Sequence, residues 1–340
     1  RKDRIFTSKL KLTVGENKVN NIKNRKQVKM NLAVFFSSIC LILTFQSAMA
    51  KVADSTTVKS LSNQAKTLHV NAKGIKYAYR KFGQKSELPL VLFQRFRGTM
   101  DHWDPKLLDN LAKTRTVIIF DNTGVAKSSG VTPSSVKAMG QAAANFIQAL
   151  GYSKVDVLGW SLGGFVAQQV ALDRPELINR VIVAGSSPGG VAEAPRMSKE
   201  VLSVIQKLNS NSQNSMEDFL FLFFTKSDAS RSAGMQHLGR LGKRSEAFGP
   251  EANAETVVAQ GKAYMSWTMG KDSAYARLEN LTQPVLVANG ETDVMIHAYH
   301  SFAMAQRAPN AKLVLYPDAG HGFLFQHADE FAIEVDGFLN

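Results

Sequence analysis

The sequence predicts an α/β fold, with a mostly parallel central sheet and helices on both faces. Residues 88–94, 116–120 and 155–159 are short continuous apolar runs, typical of strands buried on both faces. Residues 134–150 and 162–172 have helical patterning and follow two of these runs. Because strands that alternate with helices favour a parallel sheet, the pattern predicts that helices cover both of its faces.

The remaining segments continue the alternation of strands and helices, and one long helical segment interrupts it. Residues 67–70 and 75–79 flank a polar turn at 71–74, which predicts an initial β-hairpin. The later elements are predicted as strands at 180–184, 284–288 and 312–316 and as helices at 298–306 and 328–338. Residues 189–281 are mostly helical in pattern, which predicts a helical cap inserted after the strand that ends near residue 184. The predicted organisation is therefore a core of 66–188 and 282–340, a cap of 189–281, and a flexible lead-in at 51–65.

The first fifty residues have the pattern of an export signal. Residues 26–29 are basic, 32–45 are apolar, and Ala48-Met49-Ala50 supplies the small residues of a cleavage site. This predicts a Sec-type signal peptide at 30–50 with cleavage after Ala50, and hence a periplasmic or secreted protein that meets the membrane only during export. An uncleaved N-terminal anchor is the alternative. Met30 stands where such a signal begins, so we expect residues 1–29 to be translated upstream sequence.

Charge and composition exclude several classes of function. Residues 1–50 hold ten Lys/Arg and two Asp/Glu, so eight units of the formal charge of +13 lie there. The body is only mildly basic and has no dense Lys/Arg block, which argues against a nucleic-acid partner. The single cysteine, Cys40, lies in the predicted signal, so no thiolate metal site is expected. His297 and His300 lack an evident third ligand and are expected to be solvated; no metal or cofactor is implied.

The strongest chemical signal is Gly159-Trp160-Ser161-Leu162-Gly163, a G-x-S-x-G pattern. It follows a predicted buried strand directly and precedes a predicted helix, which is the context that this motif requires. Glycines on both sides allow a sharp turn that lifts the serine hydroxyl above the sheet edge. The helix that follows favours negative charge at its N-terminus. Ser161 is therefore the predicted nucleophile.

A serine nucleophile needs a base, and the base needs an acid that orients it. His321 lies on a loop between Gly320 and Gly322, directly after the last predicted strand, and is the predicted base. Asp293 follows the strand at 284–288 and gives the chain order Ser, Asp, His that is expected of this motif. The rival acids are Glu291 and, less favoured, Asp318.

A tetrahedral intermediate also needs donors for its oxyanion. The residue after the nucleophile, Leu162, and a residue in the loop after the first buried parallel strand should supply them through main-chain N–H groups. Phe96 is the candidate in that loop. Of the two arginines beside it, Arg95 and Arg97, we expect contacts with Asp101 or Asp104 that buttress the loop, although one arginine could meet an anionic substrate group.

With these residues in place, the chain resembles the α/β-hydrolase superfamily over about residues 66–340. Residues 120–128 resemble the family's D-x-R-G-x-G-x-S turn, with departures at Thr123 and Ala126. Gln94-Arg95 stands where the family usually has His-Gly, and Arg97 stands where it usually has Pro. Residues 95–105 are similar to a stretch in a subgroup of bacterial hydrolases that has no well-defined substrate.

The resemblance implies a serine hydrolase that acts on an ester, lactone or similar acyl compound through an acyl-enzyme intermediate. Carbon–carbon bond hydrolysis, perhydrolysis and ligand binding without turnover remain alternatives. The apolar run at 219–224 favours a small hydrophobic acyl substrate, with Phe223, Phe224 and Trp267 as pocket residues. Packing of the cap onto the body is the other interpretation of these side chains. Nothing in the sequence indicates an oligomeric state.

Overall fold

The computed structural model describes residues 60–209, 215–241, 243 and 248–340. The predicted signal peptide and residues 51–59 of the predicted lead-in lie outside the described residues. Ser60 accepts a hydrogen bond from the main-chain N–H of Asn63 and caps a one-turn helix, α1 (Leu61–Gln64). The N–H of Ser62 donates to the carboxylate of Asp109 at 2.8 Å and attaches this turn to the body. Residues 61–64 of the predicted lead-in thus form a helical turn that contacts the body.

The described residues form one eight-stranded sheet. Its strands are β1 (Leu68–Ala72), β2 (Ile75–Gly83), β3 (Leu90–Phe93), β4 (Thr116–Phe120), β5 (Val155–Trp160), β6 (Ile178–Ala184), β7 (Val285–Gly290) and β8 (Ala311–Tyr316). The order is β1-β2-β4-β3-β5-β6-β7-β8. β2 is antiparallel to both β1 and β4, and the other neighbouring pairs are parallel. The predicted hairpin and the mostly parallel sheet are thus confirmed.

Helices cover both faces of this sheet, as the apolar strands require. Outside residues 189–281 they are α2 (Pro105–Leu111), α3 (Val136–Ala149), α4 (Leu162–Asp173), α9 (Ala298–Arg307), α10 (Phe323–Gln326) and α11 (Ala328–Leu339). Every residue of β3, β4 and β5 is buried. Val91 and Phe93 pack on one face with α3 and α4, whereas Leu90 and Leu92 pack on the other with α2 and α11. This alternation explains why the strands read as continuous apolar runs.

The described residues between 189 and 281 form the helical interruption between β6 and β7. Their helices are α5 (Lys199–Asn209), α6 (Met216–Phe223), α7 (Asp228–Arg240) and α8 (Ala254–Thr268), followed by a 3₁₀ turn at Tyr275–Asn280. Trp267 of α8 stacks on Phe165 of α4, with ring centroids 5.3 Å apart. All described residues belong to one compact unit, so these helices pack as part of the body. Among the described residues, no helix is both long and apolar enough to cross a membrane.

The parallel strands bring the predicted site residues to one edge of the sheet. The loops after β3, β5, β7 and β8 all leave from carboxyl ends of parallel strands, which is where sites form in open α/β sheets. These loops carry, in order, residues 94–98, Ser161, Asp293 and His321.

Candidate active site

Ser161 occupies a strained turn between β5 and α4. Its backbone has φ 57° and ψ −120°, a region that residues with a Cβ rarely adopt and that costs about 1–3 kcal/mol. Its N–H donates to the carbonyl of Ala184 at 2.9 Å, and its own carbonyl accepts from the hydroxyl of Ser186 at 2.7 Å. The surrounding structure therefore holds the strained serine from both sides, at the N-terminus of α4.

Two glycines of the motif are required by close backbone packing. A Cβ on Gly159 would lie 2.2 Å from the carbonyl oxygen of Gly163, across the turn. A Cβ on Gly163 would lie 2.0 Å from the carbonyl oxygen of Phe93, at the end of β3. The glycine pattern thus sets the distance between the Ser161 turn and the loop after β3.

Asp293 and His321 form a buried pair. Nδ1 of His321 lies 2.6 Å from Oδ2 of Asp293, and the two residues are 2% and 1% exposed. The other oxygen of Asp293 accepts from the N–H groups of Met295 and Ile296 at 2.8 and 2.9 Å. Because both carboxylate oxygens are engaged, the acid is fixed in place and orients the imidazole. The Nδ1 contact leaves Nε2 as the nitrogen for chemistry.

The loop that carries His321 is attached to Trp160, the residue before the predicted nucleophile. The indole Nε1 of Trp160 donates to the main-chain carbonyl of His321 at 3.1 Å, and the two rings lie 5.6 Å apart. Within the described structure, no hydrogen bond joins the hydroxyl of Ser161 to the ring of His321. Such contacts commonly tighten only when substrate binds. The structure therefore brings Asp293 to His321 by direct contact, and Ser161 to His321 through Trp160.

The two rival acids are placed elsewhere. Glu291 is exposed. Asp318 accepts from the hydroxyls of Thr225 and Ser227 at 2.6 and 2.5 Å, and these hydrogen bonds hold the pKa of its carboxyl below the ordinary value. Asp318 therefore connects the His321 loop to the start of α7, and neither rival contacts the imidazole.

The loop after β3 presents a main-chain donor. Gln94 is buried; its Oε1 accepts from the N–H of Arg95 at 2.8 Å and its Nε2 donates to the carbonyl of Thr99 at 3.1 Å. Neither Phe96 nor Leu162 donates its main-chain N–H to any described residue. The two N–H groups predicted as oxyanion donors therefore make no hydrogen bond within the described structure.

The expectation for the two arginines of this loop is wrong. Asp101 pairs with Arg80 at 2.6 Å, and Asp104 pairs with Arg240. Arg95 donates to the carbonyl of Phe96 at 2.8 Å. Arg97 was expected to meet the same carboxylates, but its guanidinium donates to the carbonyl of Leu208 at 2.7 Å and its main-chain N–H donates to Oε1 of Gln260 at 2.7 Å. The buried carboxylates pair instead with arginines that are distant in sequence, and the local sequence pattern does not predict those pairs.

The three predicted pocket residues have different environments. The ring of Phe223 lies 5.6 Å from that of His321 and 5.8 Å from that of Trp160, so it borders the site. Phe224 packs toward Phe219 and His237. Trp267 is fully buried, and its indole donates to the carbonyl of Ser187 at 3.0 Å. The pocket prediction is therefore wrong for Trp267, which is a core residue.

A small cavity lies between the two donor loops. It has a volume of about 20 Å³ and is lined by residues that include Gln94, Leu162 and Gln260. That volume suits about one water molecule. Gln260 and Gln94 were missed at the sequence level, because a glutamine gives no local sign that it will bond a distant loop.

The prediction that both histidines are solvated is confirmed for His297, which is exposed, and is wrong for His300, which is partly buried. His297 caps α9 by accepting from the N–H of Tyr299 at 3.1 Å. His300 packs against the hydroxyl of Ser187 at 3.1 Å, and burial lowers its pKa to about 4. In the part of the chain that the structure describes, no group of three or more His, Cys, Asp or Glu side chains could hold a metal ion.

The sheet order and the strained turn after β5 define a class of protein, the α/β hydrolases. Residues 89–328 match the alpha/beta hydrolase fold family, and the chain belongs to that family. It is 39% identical to an alpha/beta hydrolase fold protein from Chitinophaga pinensis, with a TM-score of 0.74 over 82% of this chain and 98% of that chain.

Curated relatives share lower identity but belong to the same broad class. The chain is 28% identical to a 2-hydroxy-6-oxononadienedioate/2-hydroxy-6-oxononatrienedioate hydrolase from a Pseudomonas species, over 66% of this chain and 76% of the relative. It is 28% identical to a pimeloyl-[acyl-carrier protein] methyl ester esterase from Photobacterium profundum, over 76% and 96%. It is 27% identical to a poly(3-hydroxyalkanoate) depolymerase from Ectopseudomonas oleovorans, over 81% and 92%. These relatives are hydrolases and indicate a hydrolase here.

Proposed function

We propose that this chain is an exported serine hydrolase that cleaves an ester, lactone or similar acyl compound through Ser161, His321 and Asp293. The observation that carries the proposal is the buried 2.6 Å contact between Asp293 and His321, on a loop that Trp160 attaches to the Ser161 turn. A buried acid that fixes Nδ1 of an imidazole beside a serine at a helix N-terminus is the arrangement that nucleophilic acyl transfer needs.

The chemistry follows from the placement of each group. Nε2 of His321 takes the hydroxyl proton as Ser161 attacks the acyl carbonyl, and Asp293 stabilises the imidazolium that forms. The N–H groups of Phe96 and Leu162 donate hydrogen bonds to the negatively charged oxygen of the tetrahedral intermediate. His321 then returns the proton to the leaving group, and water clears the acyl-enzyme by the reverse sequence. The hydrogen bond from the Ser161 hydroxyl to Nε2 must form when substrate binds.

The proposal is tested with a fluorophosphonate probe and a panel of p-nitrophenyl esters. We expect the probe to label Ser161, and Ser161→Ala to abolish labelling. Ser161→Ala, His321→Ala and Asp293→Asn should each lower kcat by roughly 10⁴-fold or more. Asp318→Asn is the matched control, because Asp318 lies on the same loop as His321 yet contacts only Thr225 and Ser227 through its side chain. A folded wild-type protein that neither reacts with the probe nor hydrolyses any ester would reject the assignment.

The export part of the proposal rests on the sequence of residues 30–50. Cell fractionation followed by N-terminal sequencing should find a mature chain that begins at Lys51 in the periplasm or the medium. A chain that keeps residues 30–50 and sediments with membranes would support an anchor instead.

Carbon–carbon bond hydrolysis is a second candidate, favoured by the similarity to the Pseudomonas hydrolase of a 2-hydroxy-6-oxo dienedioate. The same three side chains would serve that reaction. Turnover of a 2-hydroxy-6-oxo dienoate at a higher kcat/KM than any ester of the panel would favour it. Labelling of Ser161 without turnover of either class would favour a ligand-binding role.

A further inference from the structure

Arg95 brings a positive charge to the edge of the candidate site. Its guanidinium lies 5.5 Å from the ring centroid of Phe223 and 5.7 Å from that of Trp160. Both rings also lie within 6 Å of the His321 ring, at 5.6 Å in each case. Arg95 and the predicted base therefore share the same two aromatic walls, and Phe96, the predicted oxyanion donor, is the next residue along the chain.

The hydrogen-bonding capacity of Arg95 is largely unused. A guanidinium carries five N–H donors in a planar fork. One contact is made within the described structure, from Nη1 to the carbonyl of Phe96 at 2.8 Å. That contact could be made by a neutral amide side chain. It explains the geometry of the loop but not the presence of a charge.

Within the described structure, the charge of Arg95 meets two aromatic rings but no carboxylate. No described carboxylate lies within ion-pair distance of its guanidinium, although a half-buried cation without such a partner is costly. Glu251 acts on Arg95 at longer range, but its carboxylate pairs with His102 at 3.3 Å and its side chain is 67% exposed. Burial lowers the pKa of Arg95 to about 10, so the guanidinium still carries its charge at neutral pH.

We propose that Arg95 is a specificity-determining residue that binds a carboxylate of the substrate, so that the preferred esters carry an anionic group. The planar fork suits bidentate recognition of a carboxylate, and the aromatic walls of Trp160 and Phe223 reduce competition from water. This inference deepens the proposed function and rests on it. The substrate would then carry an anionic group, on its acyl side or on its leaving group, in place of the wholly hydrophobic compound expected from the sequence.

Two pairs of esters test the proposal, and each pair compares a free carboxylate with its neutral methyl ester. In the first pair the charge is on the acyl side: mono-p-nitrophenyl succinate against p-nitrophenyl methyl succinate. In the second it is on the leaving group: 4-acetoxybenzoate against methyl 4-acetoxybenzoate. The quantity measured is the ratio of kcat/KM for the charged and the neutral ester. Differences in intrinsic reactivity cancel when that ratio is compared between variant and wild type.

We expect Arg95→Gln to lower this ratio by roughly 10- to 100-fold for at least one pair, because a charge-assisted hydrogen bond is lost. Arg95→Lys should retain part of the preference, since it keeps the charge but not the fork. Arg180→Gln is the matched control: Arg180 is also partly buried and also donates to a main-chain carbonyl, that of Leu339, at 2.6 Å. An unchanged ratio for both pairs in Arg95→Gln, with wild type active on the neutral esters, overturns the inference and leaves the proposed function standing.

A binding measurement separates the inference from turnover. Succinanilic acid, an amide analogue of the charged acyl ester, is titrated into Ser161→Ala while tryptophan fluorescence is followed, since Trp160 lies beside Arg95. We expect it to bind at least tenfold more tightly than its methyl ester, and the difference to vanish in Ser161→Ala/Arg95→Gln. Equal affinity of acid and methyl ester, both for this compound and for 4-acetamidobenzoate as the amide analogue of the second pair, overturns the inference even if the protein proves not to hydrolyse esters.

Discussion

Replacing Arg240 with glutamine should destabilise the protein far more than the same change at Arg231, although both arginines lie on α7. Arg240 contacts Asp104, a fully buried carboxylate that also caps α2 through the N–H of Lys106 at 2.9 Å. Arg231 pairs with Glu217, whose side chain is 68% exposed. The two substitutions remove the same charge from one helix, and only the environment of the partner differs.

The structure sets the size of the difference. Arg240 donates from Nε to Oδ1 of Asp104 at 2.8 Å and from Nη2 to Oδ2 at 2.6 Å. Removing one partner of a buried ion pair costs about 3–5 kcal/mol, because the remaining charge is left without compensation. Asp104 would keep His237 at 2.9 Å, so we expect about 2–4 kcal/mol for Arg240→Gln. The exposed pair of Arg231 should contribute less than about 1 kcal/mol.

Urea unfolding of wild type and both variants, followed by circular dichroism at pH 7, measures the two losses. A double-mutant cycle with Asp104→Asn should give a coupling energy above about 1 kcal/mol between residues 104 and 240. Burial acts to raise the pKa of Asp104, yet the hydrogen bonds from His237 and Arg240 hold it below the ordinary value. The stability from this carboxylate is therefore present above pH 4 and is lost as pH falls further. Equal losses for the two arginine variants would refute the argument from burial.

Two further predictions concern the site and its pH response. Gly163→Ala should lower kcat/KM at least tenfold, because its Cβ would lie 2.0 Å from the carbonyl oxygen of Phe93 and would displace the loop that carries Phe96. Gly261→Ala, where a Cβ meets nothing within 4 Å, should leave kcat/KM unchanged and raise the free energy of unfolding by about 0.5–1 kcal/mol. An equal change in kcat/KM for the two variants would contradict the reasoning. His300→Gln should remove a pH dependence of the free energy of unfolding. Burial lowers the pKa of His300 to about 4, so between pH 6.5 and 4 the unfolded chain takes up a proton that the folded chain does not. In urea titrations, wild type should therefore lose about 2 kcal/mol more unfolding free energy than the variant between pH 7 and 4.5.

The parts of the fold that follow from local pattern could be predicted from the sequence. The buried strands revealed themselves by continuous apolar runs, and β4 begins and ends at the predicted residues, Thr116–Phe120. The Ser161 turn was recognisable because two of its glycines are demanded by backbone contacts within a few residues or with one neighbouring strand. The order of chemistry-bearing loops along the chain then placed residues 293 and 321 at the same sheet edge.

The parts that depend on contacts distant in sequence could not be predicted. Asp104 meets Arg240 across 136 residues, and Arg97 meets Gln260 across 163. The nearer arginines, at 95 and 97, were the natural expectation for Asp101 and Asp104, and they turned out to bond main-chain carbonyls. The spacing of His237 and Arg240, three apart on one helix, was the one available sign that both could reach a single buried carboxylate.

The two uncommitted N–H groups each stand beside a residue held in a rare backbone conformation. Leu162 follows Ser161, whose φ is 57°, and Phe96 precedes Arg97, whose φ is 59°. Each such conformation costs about 1–3 kcal/mol and persists only when tertiary contacts enforce it. Ser186 bonds the Ser161 turn and Gln260 bonds the N–H of Arg97, so core and inserted helices together hold the two proposed oxyanion donors in place. Donors that are fixed before substrate binds need no reorganisation as charge develops. We infer that the strained backbone at Ser161 and Arg97, which lowers the stability of the fold, serves to fix these N–H groups.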